Sequence, residues 1–181
     1  MELSPTEARD ALAVVAATEE RSRAFRFYRC SSPHLILWGA IWVIGYTIDG
    51  LAPIVWIQLS WLVLVVAGMI GGTRLQPRDD AHSARIYTVT WVSALAFCVA
   101  VIAVMHPTRL IQFEAFPALC LALLYAGFGI VRGSAYLWVG GALFALTLAG
   151  YFLLPAAIYP FLMAVCGGGG LICSGIWLGR N

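Results

Sequence analysis

The fold class predicted for this chain is an all-α, polytopic membrane protein with six transmembrane helices, and three observations predict it. Its 181 residues are 61% hydrophobic and 11% charged, with a mean hydropathy of +0.86, more apolar surface than a soluble domain of that size buries. Six apolar stretches, 34–52, 54–70, 86–105, 113–131, 135–154 and 158–178, approach the roughly 20 residues a helix needs to cross a hydrocarbon core of about 30 Å. The eleven cations are all arginine, and they are sorted. Arg21, Arg23, Arg26, Arg29, Arg74, Arg78, Arg85, Arg132 and Arg180 flank one side of those stretches, and Arg109 alone flanks the other. Cytoplasmic loops carry the arginine excess, so both termini are expected in the cytoplasm, with connections 49–53, 106–112 and 155–160 facing outward. A transmembrane barrel would alternate apolar and polar residues, which runs such as Leu62-Val63-Leu64-Val65-Val66-Ala67 contradict.

Residues 1–30 are expected to form an N-terminal cytoplasmic or interfacial amphipathic helix. Ser4-Pro5-Thr6-Glu7 reads as a capped helix start, with Pro at the first helical position and Glu reaching back to the cap. Ala8, Ala11, Leu12 and Val15 make an apolar stripe, and Phe25, Phe27 and Tyr28 interleave with the arginines that follow. Such a segment suits an anionic membrane surface, or docking through residues 5–29 to a cytoplasmic or membrane protein partner or to a second copy of the chain. Acidic Glu2, Glu7 and Asp10 precede any apolar core, which is not the order of a cleaved signal peptide. The first span is therefore expected to be its own insertion signal.

Residues 34–178 are expected to form the transmembrane domain, arranged as three successive hairpins. Pro53, Pro107 and Pro155 each mark an outward connection, and the second, fourth and sixth stretches close alike, on Gly-rich sequence followed by Arg74, Arg132 and Arg180. Small residues let helix backbones approach in lipid, where water supplies no drive to associate. Gly68 and Gly72, Ala118, Ala122 and Ala126, and Gly141, Ala145 and Ala149 supply such stripes, so helices two, four, five and six are expected to be the packed interior.

Two groups of residues are candidate ligand sites. In the sixth stretch Gly167, Gly168, Gly169 and Gly170 fall near the bilayer midpoint, and glycine costs a helix about 1 kcal/mol per residue relative to alanine, so the helix is expected either to pack closely there or to unwind into a binding break. In the first stretch Trp38, Trp42, Tyr46 and Asp49 share one helix face, with Trp61 at comparable depth on the second. Rings with a carboxylate at the mouth suit an apolar cation or a lipid-like ligand. Trp56, Trp91, Trp138 and Trp177 are expected at the membrane interfaces. Asp49, His106, Arg109 and Glu114 are expected near the outer boundary, either as an Arg–carboxylate pair holding hairpins together or as a small polar site.

Other chemistry lacks its signature. No Asp, Glu, Arg or His lies at the centre of any span, which argues against a proton relay or a cation-coupled carrier. Cys30, Cys98, Cys120, Cys166 and Cys173 form no CxxC or zinc spacing and are expected to be small packing residues. There is no GxSxG, HExxH, Walker loop or His pair for haem, so no catalytic residue, metal or cofactor is expected, and the small net charge of +2 gives no sign of a nucleic-acid partner.

At Ser32-Pro33-His34-Leu35-Ile36-Leu37-Trp38-Gly39, Gly150-Tyr151-Phe152-Leu153-Leu154-Pro155 and Gly168-Gly169-Gly170-Leu171-Ile172-Cys173-Ser174-Gly175-Ile176-Trp177-Leu178 the chain resembles small bacterial inner-membrane proteins of about this length. The resemblance covers most of the membrane part but rests on packing-type residues. It implies a multi-pass protein of the bacterial cytoplasmic membrane, and no activity or site residues. The functional expectation is a non-enzymatic, self-associating sensing or accessory component that acts through its N-terminal helix. The alternatives are a transporter of a small solute or lipid-like substrate using the glycine run, and a lipid-modifying enzyme using His106, Arg109 and Glu114.

Overall fold

The computed structural model describes residues 5–75, 81–132 and 134–180, and over 5–30 it describes the helical backbone with side chains only at Arg9, Val14 and Val15. The described residues are helical with no strands: α1 (Pro5–Leu51), α2 (Ile54–Leu75), α3 (Ala81–Met105), α4 (Leu110–Arg132), α5 (Ser134–Leu153) and α6 (Tyr159–Arg180). Each contains a stretch long and apolar enough to cross a membrane. The fold is therefore that of a multi-pass membrane protein, because only structures that satisfy every backbone group internally survive in hydrocarbon.

The backbone shows no boundary near residue 30. α1 runs as one helix through Pro33 into its apolar part, Ser31–Leu51. A proline is tolerated there because neighbouring groups re-satisfy the freed backbone. The amphipathic face expected over 5–29, the Ser4 cap, and the side chains of Arg21, Arg23, Arg26, Arg29, Cys30, Arg78 and Arg132 lie outside the described residues.

α1, which the reading of small residues left out of the interior, is its centre. Leu35, Trp38, Ile41, Trp42, Tyr46 and Asp49 recur at three- and four-residue intervals and are all buried. α2 buries only Ile57, Gly68 and Gly72 among its described residues. The closest pairings are α1 with α6 and α4 with α5, not the three successive hairpins expected. Glycine explains both. A Cβ on Gly168 would fall 2.8 Å from the carbonyl oxygen of Gly39 and 2.8 Å from the amide nitrogen of Val43, so α6 rests on the bare backbone of α1. Further along this seam the Ser32 hydroxyl donates to the Gly175 carbonyl at 2.6 Å. Across α4 and α5, a Cβ on Gly140 would fall 2.6 Å from the Ala122 carbonyl oxygen and 2.6 Å from the Ala126 amide nitrogen, and one on Gly129 would overlap the Leu137 backbone.

One expectation about small residues needs correction, and one open alternative is decided. Gly141 faces open space, and Ala145 and Ala149 are exposed. The packing face of α5 is instead Tyr136, Gly140, Leu143, Thr147 and Gly150, one residue out of phase with the expected stripe. The glycine run of α6 does not unwind. Met163–Gly168 winds as a π-helix and Gly169–Arg180 continues as α-helix. Gly167 and Gly168 are buried against α1, while Gly169 and Gly170 face open space. A π segment is a widened turn, common at functional sites, and here it sets one glycine pair into the seam.

α3 is the loosest member. Cys98 is the only buried residue among its described ones, and it meets α2 and α4 at few points.

Candidate functional site

Because α3 stands off from its neighbours, a cavity of about 670 Å³ opens between α2, α3 and α4 against the aromatic face of α1. It reaches from Ile54, Thr108 and Glu114 near the arginine-poor end to Met69, Trp38 and Trp91 deeper in the bundle. On α2 alone the wall from Ile57 to Met69 spans about 18 Å at 1.5 Å per residue. Several lining residues, among them Ile54, Leu95, Val99 and Phe113, are also exposed, so the cavity opens sideways, towards where lipid would lie.

The deep end is aromatic. Trp38 and Trp91 stack with centroids 4.6 Å apart and planes 16° from parallel, so Trp91 joins the cavity wall rather than the membrane interface expected for it. Trp56, Trp138 and Trp177 are exposed. Trp42, Tyr46 and Trp61 form a chain of edge contacts, 5.4 Å between the first two and 5.2 Å between the last two. The sequence placed Trp38, Trp42, Tyr46, Asp49 and Trp61 together, and the structure does bring them together. It also adds Trp91, Glu114 and Tyr159, whose approach depends on how α3, α4 and α6 pack.

Polar groups cluster at the other end. Trp61 Nε1 donates to both carboxylate oxygens of Asp49, at 2.9 and 2.8 Å. The Tyr46 hydroxyl donates to the Glu114 carbonyl at 3.0 Å, tying α1 to α4. Glu114 is 8% exposed and lines the cavity, its carboxyl group near enough to that of Asp49 for their charges to interact. Its Oε1 is buried and has no hydrogen-bond partner among the described residues, and the same is true of the hydroxyl of Tyr159, which is fully buried beside Tyr46 with ring centroids 6.4 Å apart. Buried polar atoms are nearly always satisfied, so each exception calls for an explanation.

The expected outer group divides. Asp49 and Glu114 come together, but His106 and Arg109 are exposed and neither forms an ion pair with them. Both serve the turn instead. His106 adopts a left-handed conformation, φ 44°, and its amide bonds the Ile102 carbonyl at 3.1 Å to end α3. Gln112 Oε1 accepts from the amides of Thr108 and Arg109, at 3.1 and 3.2 Å, one half of a capping box that starts α4. Among the described residues no cationic side chain lies against the two carboxyl groups. The run Gly167–Gly170 of α6 lines no part of the cavity; Gly167 backs onto Trp42 from the other side, where a Cβ would meet its ring at 3.3 Å.

Among the described residues no group of three His, Cys, Asp or Glu could hold a metal ion. The arrangement is one of complementarity: flat rings and aliphatic wall along the length, one carboxyl group at the end.

Fold and cavity together define a class, a multi-pass helical membrane protein with a laterally open aromatic pocket. No family model matches the chain, and neither a curated protein nor a solved structure matches it.

Proposed function

We propose that the chain is a non-enzymatic sensing or accessory component of a membrane, whose cavity takes a single-chain amphiphile with an ammonium head. The observation that carries this reading is the buried, unpartnered Oε1 of Glu114 at the end of an aromatic-walled cavity. An ammonium group supplies the missing donor, rings stabilise the cation through their faces, and the aliphatic chain lies along the remaining wall. The aromatic face sits on α1, which continues without interruption for 26 residues ahead of Ser31. A change in how α1 packs on ligand binding would therefore reach the N-terminal segment, where Arg9, Val14 and Val15 are exposed, and a partner bound there. The arginine asymmetry supports cytoplasmic termini, and the resemblance supports a bacterial inner membrane.

The test is binding of dodecylammonium to the full chain in nanodiscs, read by tryptophan fluorescence. Glu114→Gln is expected to weaken binding roughly 10- to 100-fold, the worth of one charged hydrogen bond. Asp49→Asn is expected to change it little, because Trp61 already serves that carboxylate. Equal affinity of wild type and Glu114→Gln rejects the reading. Removing residues 1–28 is expected to leave ligand binding intact and abolish partner co-purification.

A second reading, transport of the same amphiphile, is favoured by the π segment of α6 behind Trp42, a widened turn of the kind frequent at functional sites. Movement of dodecylammonium across reconstituted vesicles, lost in Glu114→Gln, selects it over sensing.

A further inference from the structure

We infer that Cys98 of α3 and Cys120 of α4 form a dithiol site that a lipid-soluble quinone oxidises to a disulfide. Cys98 and Cys120 stand on facing helices close enough for their thiols to interact, and both residues line the cavity. Each stands about halfway along its span, Cys98 within Thr88–Met105 and Cys120 within Leu110–Ile130. They differ in this from Cys166 and Cys173, which are exposed on α6.

Two buried cysteines side by side are ordinarily inert packing. Three features separate this pair from that role. The thiols belong to different helices, so a bond between them joins elements that otherwise barely touch. Cys98 is the one buried residue among the described residues of α3, so the pair stands beside the stack of Trp91 on Trp38 as a place where α3 meets the bundle. And both residues line the cavity, where a ligand can reach them.

The oxidant follows from depth. Hydrocarbon at the middle of a span excludes charged oxidants such as glutathione disulfide, and thiol oxidation depends on access. A quinone dissolves there, enters sideways past exposed Leu95 and Val99, and meets flat walls at Trp38 and Trp91. The two S–H bonds break and one S–S bond forms. Two electrons and two protons pass to the quinone, whose carbonyl oxygens become the hydroxyls of a hydroquinone. The product ties α3 to α4 and fixes one wall of the cavity. This inference needs the cavity but not the amphiphile proposed for it.

The test uses the full chain carrying Cys30→Ser, Cys166→Ser and Cys173→Ser, reconstituted in nanodiscs under argon with a fully ring-substituted benzoquinone bearing a decyl tail. Thiols are then alkylated after denaturation and mapped by mass spectrometry. The expected result is loss of both free thiols, a Cys98–Cys120 linked peptide, and one hydroquinone per chain. Adding Cys98→Ser or Cys120→Ser is expected to abolish hydroquinone formation, and glutathione disulfide is expected to leave both thiols free. The proposal is overturned if both cysteines remain alkylatable after quinone, if hydroquinone appears equally in the serine variants, or if glutathione disulfide oxidises the pair as readily. The unsubstituted Cys98 and Cys120 arm decides the question even where a serine variant fails to fold.

Discussion

Where α6 crosses α1, Gly168 and Gly39 bring two backbones to a separation that leaves no room for a methyl group. Where α3 crosses α4, Cys98 is the only described side chain of α3 taken out of contact with its surroundings. One side of the bundle is a pair of glycine seams, α1 with α6 and α4 with α5, and the other is a loosely held helix around an aromatic cavity. In lipid the difference has a direct cause. Apolar side chains gain little by leaving hydrocarbon for a protein interface, so close association needs small residues or polar links. α6 has Gly168, Gly175 and Gly179 facing α1, whereas α3, Ala81–Met105, contains no glycine. A helix with alanines but no glycine stands off here, and the space it leaves is the cavity.

The sharpest way to break the contrast is to fill a seam. Gly168→Leu must push α6 off backbone atoms of α1 that cannot yield, and is expected to destabilise the bundle by about 3 kcal/mol, the upper range for overpacking, seen as a large fall in melting temperature in detergent. Next, Glu114→Gln should separate the two regions by function. It weakens amphiphile binding as described above, yet removes an unpaired buried carboxyl group, so melting without ligand is expected to hold or rise by about 1 kcal/mol. Ser32→Ala deletes the donor to the Gly175 carbonyl and is expected to cost about 0.6 kcal/mol, the average for an interhelical hydrogen bond in a membrane. The smallest effect is expected at Gly170→Ala, which faces open space. It should leave melting unchanged or raise it by about 0.5 kcal/mol through helix propensity. A Gly170→Ala variant as damaged as Gly168→Leu would show that the run acts as a unit and not through one buried face.

The parts of the site legible in the sequence were those on a single helix. Trp38, Trp42, Tyr46 and Asp49 share a face because 3.6 residues make a turn, and no packing is needed to say so. Glu114 was visible as a carboxylate near a boundary, but its being buried and unpartnered depends on Arg109 turning away to the surface. His106 and Arg109 resembled site residues because charge in a short connection suggests function; their turn roles follow from a left-handed φ and a Gln112 cap. The Cys98–Cys120 pair carried no signal, since its members belong to different helices and share no motif spacing.

The sequence alone determined that six helices are long and apolar enough to cross lipid, because the length and apolarity of each stretch answer to a solvent of known thickness. Arginine placement alone predicted which end faces which side. Tertiary structure decided which helix lies at the centre, which of several small-residue stripes is a seam, and which carboxylate goes unpaired. Those outcomes turn on the rotation of each helix about its own axis, and one residue along α5, from Gly140 to Gly141, turns a close contact into open space.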